Sequence, residues 1–187
     1  MILFKPFFLK DANESNAYII GRRESKQALL VDAGGDTPEY DAFLESVGAR
    51  LIGVFLTHAH WDHDGGLPSI LARYDIPVYS MQGSAPNGKA IREGDRIPLG
   101  RLNASVYQTA GHTPDSMTLV VENRLAFVGD ALFAGSIGGT SSAALQEEEQ
   151  NNIRRVLFSL PDETLICPGH GPITTVGIEK NCNPFFV

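Results

Sequence analysis

Ten residues from Thr57 to Gly66 read THAHWDHDGG, three histidines and two aspartates closed by a glycine pair. The stretch follows Leu51 to Leu56, a continuous apolar run that reads as a buried strand. So many polar groups at the mouth of a buried strand are costly unless they share a partner. A divalent cation taking N and O ligands near ~2 Å is the partner that suits them. In extended or turn geometry, residues i and i+2 point the same way, so His58 and His60 can share one ion, and Asp62 and His63 can face a second. Gly65 and Gly66 let the backbone bend and approach closely where a side chain would obstruct.

Two ions need more ligands than this motif holds, and comparable loops supply them. Val106 to Thr109 leads into AGHTPDS with His112, Leu125 to Val128 into Gly129 and Asp130, and Leu165 and Ile166 into CPGHGP with His170. Each candidate stands just past an apolar β run, in a turn bearing glycine or proline, where a rigid sheet can hold ligands in register. The 5 histidines of the chain are then all accounted for.

The rest of the chain alternates short β-type runs with amphipathic helical ones. Strands are expected at Met1 to Phe8, Asn16 to Ile20, Ala28 to Val31, Leu51 to Leu56, Val78 to Ser80 and Leu102 to Thr109, with a hairpin over Met117 to Val121 and Leu125 to Val128. One helix is capped by Thr37, starts at Pro38 and stops before Gly48, a second spans Leu67 to Tyr74, and a third Leu145 to Leu160, its apolar face including Leu145, Ile153, Val156 and Leu157. Glu147, Glu148 and Glu149 are placed on the solvated face of that third helix. Hairpins interleaved with helices predict an α/β (α+β) fold: two packed sheets covered by helices, a four-layer αββα sandwich. At 187 residues the chain is read as a single domain, 1–187.

Composition narrows the function. The net charge of -7, without a basic stripe, argues against nucleic acid, and a small-molecule substrate is expected. The N-terminal MILFKPFFLK is broken by Lys5, Pro6 and Lys10, so it does not read as a signal peptide, and no run reaches the ~18 apolar residues of a membrane span. With only Cys167 and Cys182 there is no disulfide framework, and a cytoplasmic location is the expectation. Cys167 lies three residues before His170 but has no free base beside it, so it reads as structural. Trp61 reads as a pocket wall or lid, or as packing. Oligomeric state is not legible.

THAHWDHDGG, AGHTPDS, FVGDALF and CPGHGP together resemble the metallo-β-lactamase-fold superfamily, in its glyoxalase II-like (hydroxyacylglutathione hydrolase-like) branch. The resemblance runs from Val31 and Asp32 to Asn183 and Pro184. It implies an αββα sandwich in agreement with the reading above. It also implies one metal held by His58, His60 and His112, a second by Asp62, His63 and His170, and Asp130 bridging both.

Two ions of this kind, zinc first with iron or manganese as alternatives, would lower the pKa of a shared water towards ~7. The expected reaction is attack of that bridging hydroxide on a thioester or ester carbonyl, with Asp62 and Asp130 as the catalytic carboxylates and Asp62 shuttling the proton. Asp32 is expected to hydrogen-bond a ligand imidazole from behind, or else to serve a turn. Against glutathione stand two departures: 17 residues follow His170 (187 minus 170), too few for the glutathione-binding helical domain, and Gly139 and Ser141 occupy positions where such enzymes resemble Gly-Lys-x-Tyr or Gly-Arg. The alternatives are a mononuclear non-haem iron persulfide dioxygenase, a lactonase or β-lactamase-like hydrolase, and a non-catalytic metal-binding protein.

Overall fold

The computed structural model describes residues 1–187. The first half builds a six-stranded sheet in the order β1-β2-β3-β4-β5-β6, from β1 (Ile2–Leu9), β2 (Ser15–Arg22), β3 (Gln27–Val31), β4 (Arg50–Phe55), β5 (Val78–Ser80) and β6 (Gly88–Ala90). The second half builds a five-stranded sheet in the order β13-β12-β9-β8-β7, from β7 (Ala104–Gln108), β8 (Met117–Val121), β9 (Leu125–Gly129), β12 (Leu165–Pro168) and β13 (Thr174–Thr175). A hairpin of β10 (Leu132–Phe133) and β11 (Ser136–Ile137) stands apart. The helices are α1 (Pro38–Val47), α2 (Trp61–Asp64), α3 (Leu67–Arg73), α4 (Ala143–Val156) and α5 (Val176–Cys182).

Three apolar clusters separate four layers. Tyr18, Phe55, Leu119 and Phe127 fill the space between the sheets. Ala17, Ile19, Leu30 and Val54, the opposite faces of the same strands, pack with Tyr40 and Leu44 of α1 and Ile70 of α3. Val120, Ala126 and Val128 pack with Ile153 and Val156 of α4 and Val176 of α5. Strands buried on both faces explain why β4, β8 and β9 read as continuous apolar runs rather than alternating ones. The architecture is the αββα sandwich that the order of elements predicts.

Two parallel pairs aim the site loops. Val31 lies opposite Phe55 in β3 and β4, so Asp32 and Thr57 leave the first sheet side by side. Pro168 lies opposite Gly129 in β12 and β9, so Asp130 and His170 leave the second sheet together. The sheets are joined at this edge by Asn16 N–H donating to Gly169 O at 2.7 Å and Met117 N–H to Thr57 O at 2.8 Å.

Helix α1 has the expected limits. Thr37 Oγ1 accepts from Glu39 N–H, and Gly48 closes the helix at φ 61° in the left-handed region. Elsewhere the boundaries differ. The third expected helix, α4, begins and ends earlier than Leu145 to Leu160, because Ser142 caps it and accepts from Leu145 N–H. The histidine-rich turn contains the one-turn helix α2, and β6, the β10-β11 hairpin, β13 and α5 were not anticipated.

One expectation is overturned. Glu147 and Glu148 are exposed, but Glu149 is 0% exposed. It stands four residues before Ile153 and seven before Val156, on the same helical stripe, so periodicity overrides polarity. Neither carboxylate oxygen has a well-formed hydrogen bond, and burial, opposed by the nearby backbone N–H of His112, pushes its pKa up to about 8.

Candidate metal centre

The eight site residues all gather at one edge of the sandwich. His58 follows β4 and is buried, while His60 is the extended residue that opens α2, at φ -84° and ψ 148°. The single turn of α2 then carries Asp62 and His63, both buried. His112 arrives between β7 and β8, Asp130 just after β9, and His170 just after β12.

Two groups form. His58 Nε2 and His112 Nε2 each lie 3.1 Å from His60 Nδ1. Asp62, His63 and His170 form the other group, with His170 Nε2 3.4 Å from Asp62 Oδ2. Asp130 stands between the two. Its Oδ2 is 3.6 Å from both His112 Nε2 and His170 Nε2, and its Oδ1 is 3.3 Å from His63 Nε2. Tetrahedral ligands at ~2 Å from zinc are themselves ~3.3 Å apart, so these spacings fit divalent cations. His63 Nε2 and Asp130 Oδ1 are buried without a hydrogen-bond partner, an arrangement that a cation between them would relieve.

Burial and neighbouring carboxylates act in opposite directions on these groups. Burial pushes His58 down to about 3, so it is a neutral imidazole with a free lone pair. His63 is buried too, but the carboxylates of Asp32 and Asp130 outweigh that burial and raise it to about 10. Burial opposes ionisation of Asp130, yet the charge of His63 beside it, with His58 and His170 adding to the effect, holds it down at about 2.

A second ring of contacts holds these groups. Asp32 Oδ2 is 3.0 Å from His63 Nδ1, and the same carboxylate accepts from Thr57 N–H at 2.8 Å and Thr57 Oγ1 at 3.0 Å. Asp32 itself sits at φ 57°, a left-handed conformation in which a non-glycine residue is uncommon. Gly169 is indispensable for space, since a Cβ there would stand 2.1 Å from Asp130 Oδ1 and 2.6 Å from His63 Cε1.

Several participants carry no signal in the sequence. Asn13 Nδ2 donates to Asp62 Oδ2 at 2.8 Å, His112 Nδ1 lies 2.7 Å from Gly139 O, and Tyr18 OH donates to Pro168 O at 2.7 Å beneath the His170 loop. Asn13, 49 residues before Asp62, carried no signal beyond a turn composition. Trp61 is 63% exposed and belongs to no apolar cluster, which removes the packing alternative. Cys167 is buried between the sheets and its thiol is pushed well above the ordinary range by burial, so it is structural.

With this geometry established, the likeness to known proteins is specific. A model of the Metallo-beta-lactamase superfamily matches residues 11–96 and 84–170, and the chain belongs to that superfamily. The chain is 33% identical to a probable metallo-hydrolase, YqgX, of Bacillus subtilis, over 92% of each chain. It is also 33% identical to the mitochondrial persulfide dioxygenase ETHE1 of Bos taurus, over 89% of this chain and 69% of that one. The hydroxyacylglutathione hydrolase GloC of Haemophilus influenzae is 29% identical over 87% of this chain and 88% of its own. Among solved structures, the BLEG-1 B3 metallo-beta-lactamase superposes with a TM-score of 0.85 at 28% identity, covering 99% of this chain and 100% of that one. TTHA1623 in a di-iron-bound form superposes with a TM-score of 0.78 at 31% identity, covering 97% of this chain and 99% of that one. These relatives support an enzyme, and they include both a probable metallo-hydrolase and a persulfide dioxygenase at the same identity. No helix is long and apolar enough to cross a membrane.

Proposed function

We propose that the protein is a binuclear metal-dependent hydrolase of thioesters or esters, in the glyoxalase II-like branch. The observation that carries this reading is the position of Asp130, whose Oδ2 is 3.6 Å from a histidine of each group. His58, His60 and His112 would hold one cation, Asp62, His63 and His170 the other, and Asp130 would be shared. Divalent cations bound there, zinc first and iron or manganese as alternatives, supply Lewis acidity and lower the pKa of water towards ~7.

The chain's own residues do the rest. Asp32 fixes the ring of His63 through Nδ1 and leaves Nε2 free to face the centre. Gly139 O orients His112 in the same way, with Nε2 turned inward. Asp62 is the proton carrier in this reading, taking the proton that the attacking water loses and passing it to the leaving group, while Asn13 holds its carboxylate by donating to Oδ2. No uncommitted histidine is left to act as a base.

Metal analysis of the purified protein, beside a panel of thioesters, lactones and a β-lactam, tests the proposal. Oxygen uptake on a persulfide is measured in parallel. Two ions per chain and thioester turnover are expected. One iron per chain with persulfide-dependent oxygen consumption would replace the hydrolase by a dioxygenase, the activity named for the Bos taurus relative.

A further inference from the structure

Beside the three-histidine group lies a cleft of about 340 Å³ between the start of α3 and the loop after β5. His58 borders both the cleft and the metal centre, and Asp115, three residues beyond His112, closes the cleft on the side of the second sheet. Leu56, Leu67, Met81 and Pro86 give it an apolar wall, Ser80 and Gln82 provide neutral polar groups, and Asp64 and Asp115 are its charged residues. No lysine or arginine lines the cleft, and none occurs in Thr57–Gly66, Ser80–Gly88, Thr109–Ser116, Gly129–Ile153 or Ile166–Glu179; the loop that brings Asn13 to Asp62 carries Lys10, which is not among the residues of the cleft. The basic residues that flank these loops in sequence are engaged elsewhere. Arg73 pairs with Asp36 and Asp41, Lys89 lies 5.8 Å from the centroid of the Tyr79 ring, and Arg155 pairs with Glu93.

We infer that this cleft receives the thiol arm of the substrate, and that the arm is a neutral, amide-bearing alkyl thiol rather than a carboxylate-bearing one such as glutathione. The inference rests on the thioester hydrolase reading. A carboxylate entering the cleft would leave water, meet two acidic side chains and find no cation, an arrangement that rejects anions by repulsion and unpaired charge. An uncharged amide arm loses nothing to those acids, packs its methylenes on the apolar wall, and finds donors and acceptors in Ser80 and Gln82.

The test is calorimetric titration of the zinc-loaded protein with two non-hydrolysable thioethers, S-hexyl-N-acetylcysteamine and S-hexylglutathione. The neutral ligand is expected to bind at least roughly tenfold more tightly. In Asp115→Lys, and independently in Gln82→Lys, the ratio should move by roughly tenfold towards the glutathione ligand. Equal or tighter binding of S-hexylglutathione by the parent protein, failure of both ligands to bind, or a ratio that neither folded variant changes would overturn the inference. Thioesters of the same two thiols separate the two levels of argument. If the thioethers bind in the expected order but neither thioester is hydrolysed, the hydrolase reading fails and the cleft assignment stands. If both thioesters are hydrolysed and the glutathione one is preferred, the hydrolase reading stands and the cleft assignment fails.

Discussion

His63 Nε2 faces Asp130 Oδ1 across 3.3 Å, both buried, while Asp32 lies 3.0 Å behind at the other imidazole nitrogen. In the metal-free protein His63 therefore keeps its proton up to a pKa of about 10, and a cation must displace it. Apparent metal affinity is expected to rise about tenfold per pH unit from about pH 6 to about pH 8, with one proton released per chain from this site. The raised pKa also stabilises the metal-free fold, fully below the unfolded value of 6.5 and progressively less as pH rises through about 10. Calorimetry in buffers of different ionisation enthalpy measures the proton count, and an affinity independent of pH would refute the coupling.

Asp130→Asn keeps the shape of the carboxylate proposed to be shared but removes the charge that would hold both cations. Metal content is expected to fall towards one ion per chain, and turnover by more than roughly 100-fold. Mass spectrometry under native conditions counts the ions, and a variant retaining two ions and full activity would dismantle the bridging role.

Asp32→Asn leaves the His63 ring in place but removes the charge behind it. A loss of about 10- to 100-fold in metal affinity is expected, with the circular dichroism spectrum unchanged. Competition with a chromogenic chelator reads the affinity. An unaltered value would reduce Asp32 to a turn residue that anchors Thr57.

Gly169→Ala and Gly171→Ala make a matched pair two residues apart. At Gly169 a Cβ collides with Asp130 and His63, so loss of metal binding or of the fold is expected. At Gly171 a Cβ meets nothing within 4 Å, and the left-handed φ of 74° costs about 1 to 2 kcal/mol alone. Thermal midpoints and metal content distinguish them, and similar behaviour would mean that the Gly169 loop can yield.

Glu149→Leu replaces a buried, unpartnered carboxyl by an apolar side chain of similar size on a stripe that already carries Ile153 and Val156. Stability at neutral pH is expected to increase by ~1 kcal/mol or more, or roughly 2 to 4 °C in thermal midpoint. A lower midpoint would show that the carboxyl has a partner in solution.

What could be read from residues alone was what local physics determines. The apolar runs of β4, β8 and β9, the Thr37 and Gly48 caps of α1, and the crowding of His58, His60, Asp62 and His63 into one turn each depend on neighbours within a few positions. The loops carrying His112, Asp130 and His170 were legible for the same reason, each being a break after an apolar strand. Tertiary structure decided everything that depends on distant pairing. The parallel registers of β3 with β4 and of β9 with β12 bring the loops to one edge, and no local signal sets a parallel register. Asn13 beneath Asp62, Asp115 beside His58, and Glu149 turned into the core are consequences of that packing. A side chain's own chemistry states what it can do, but burial and partners many residues away decide what it does.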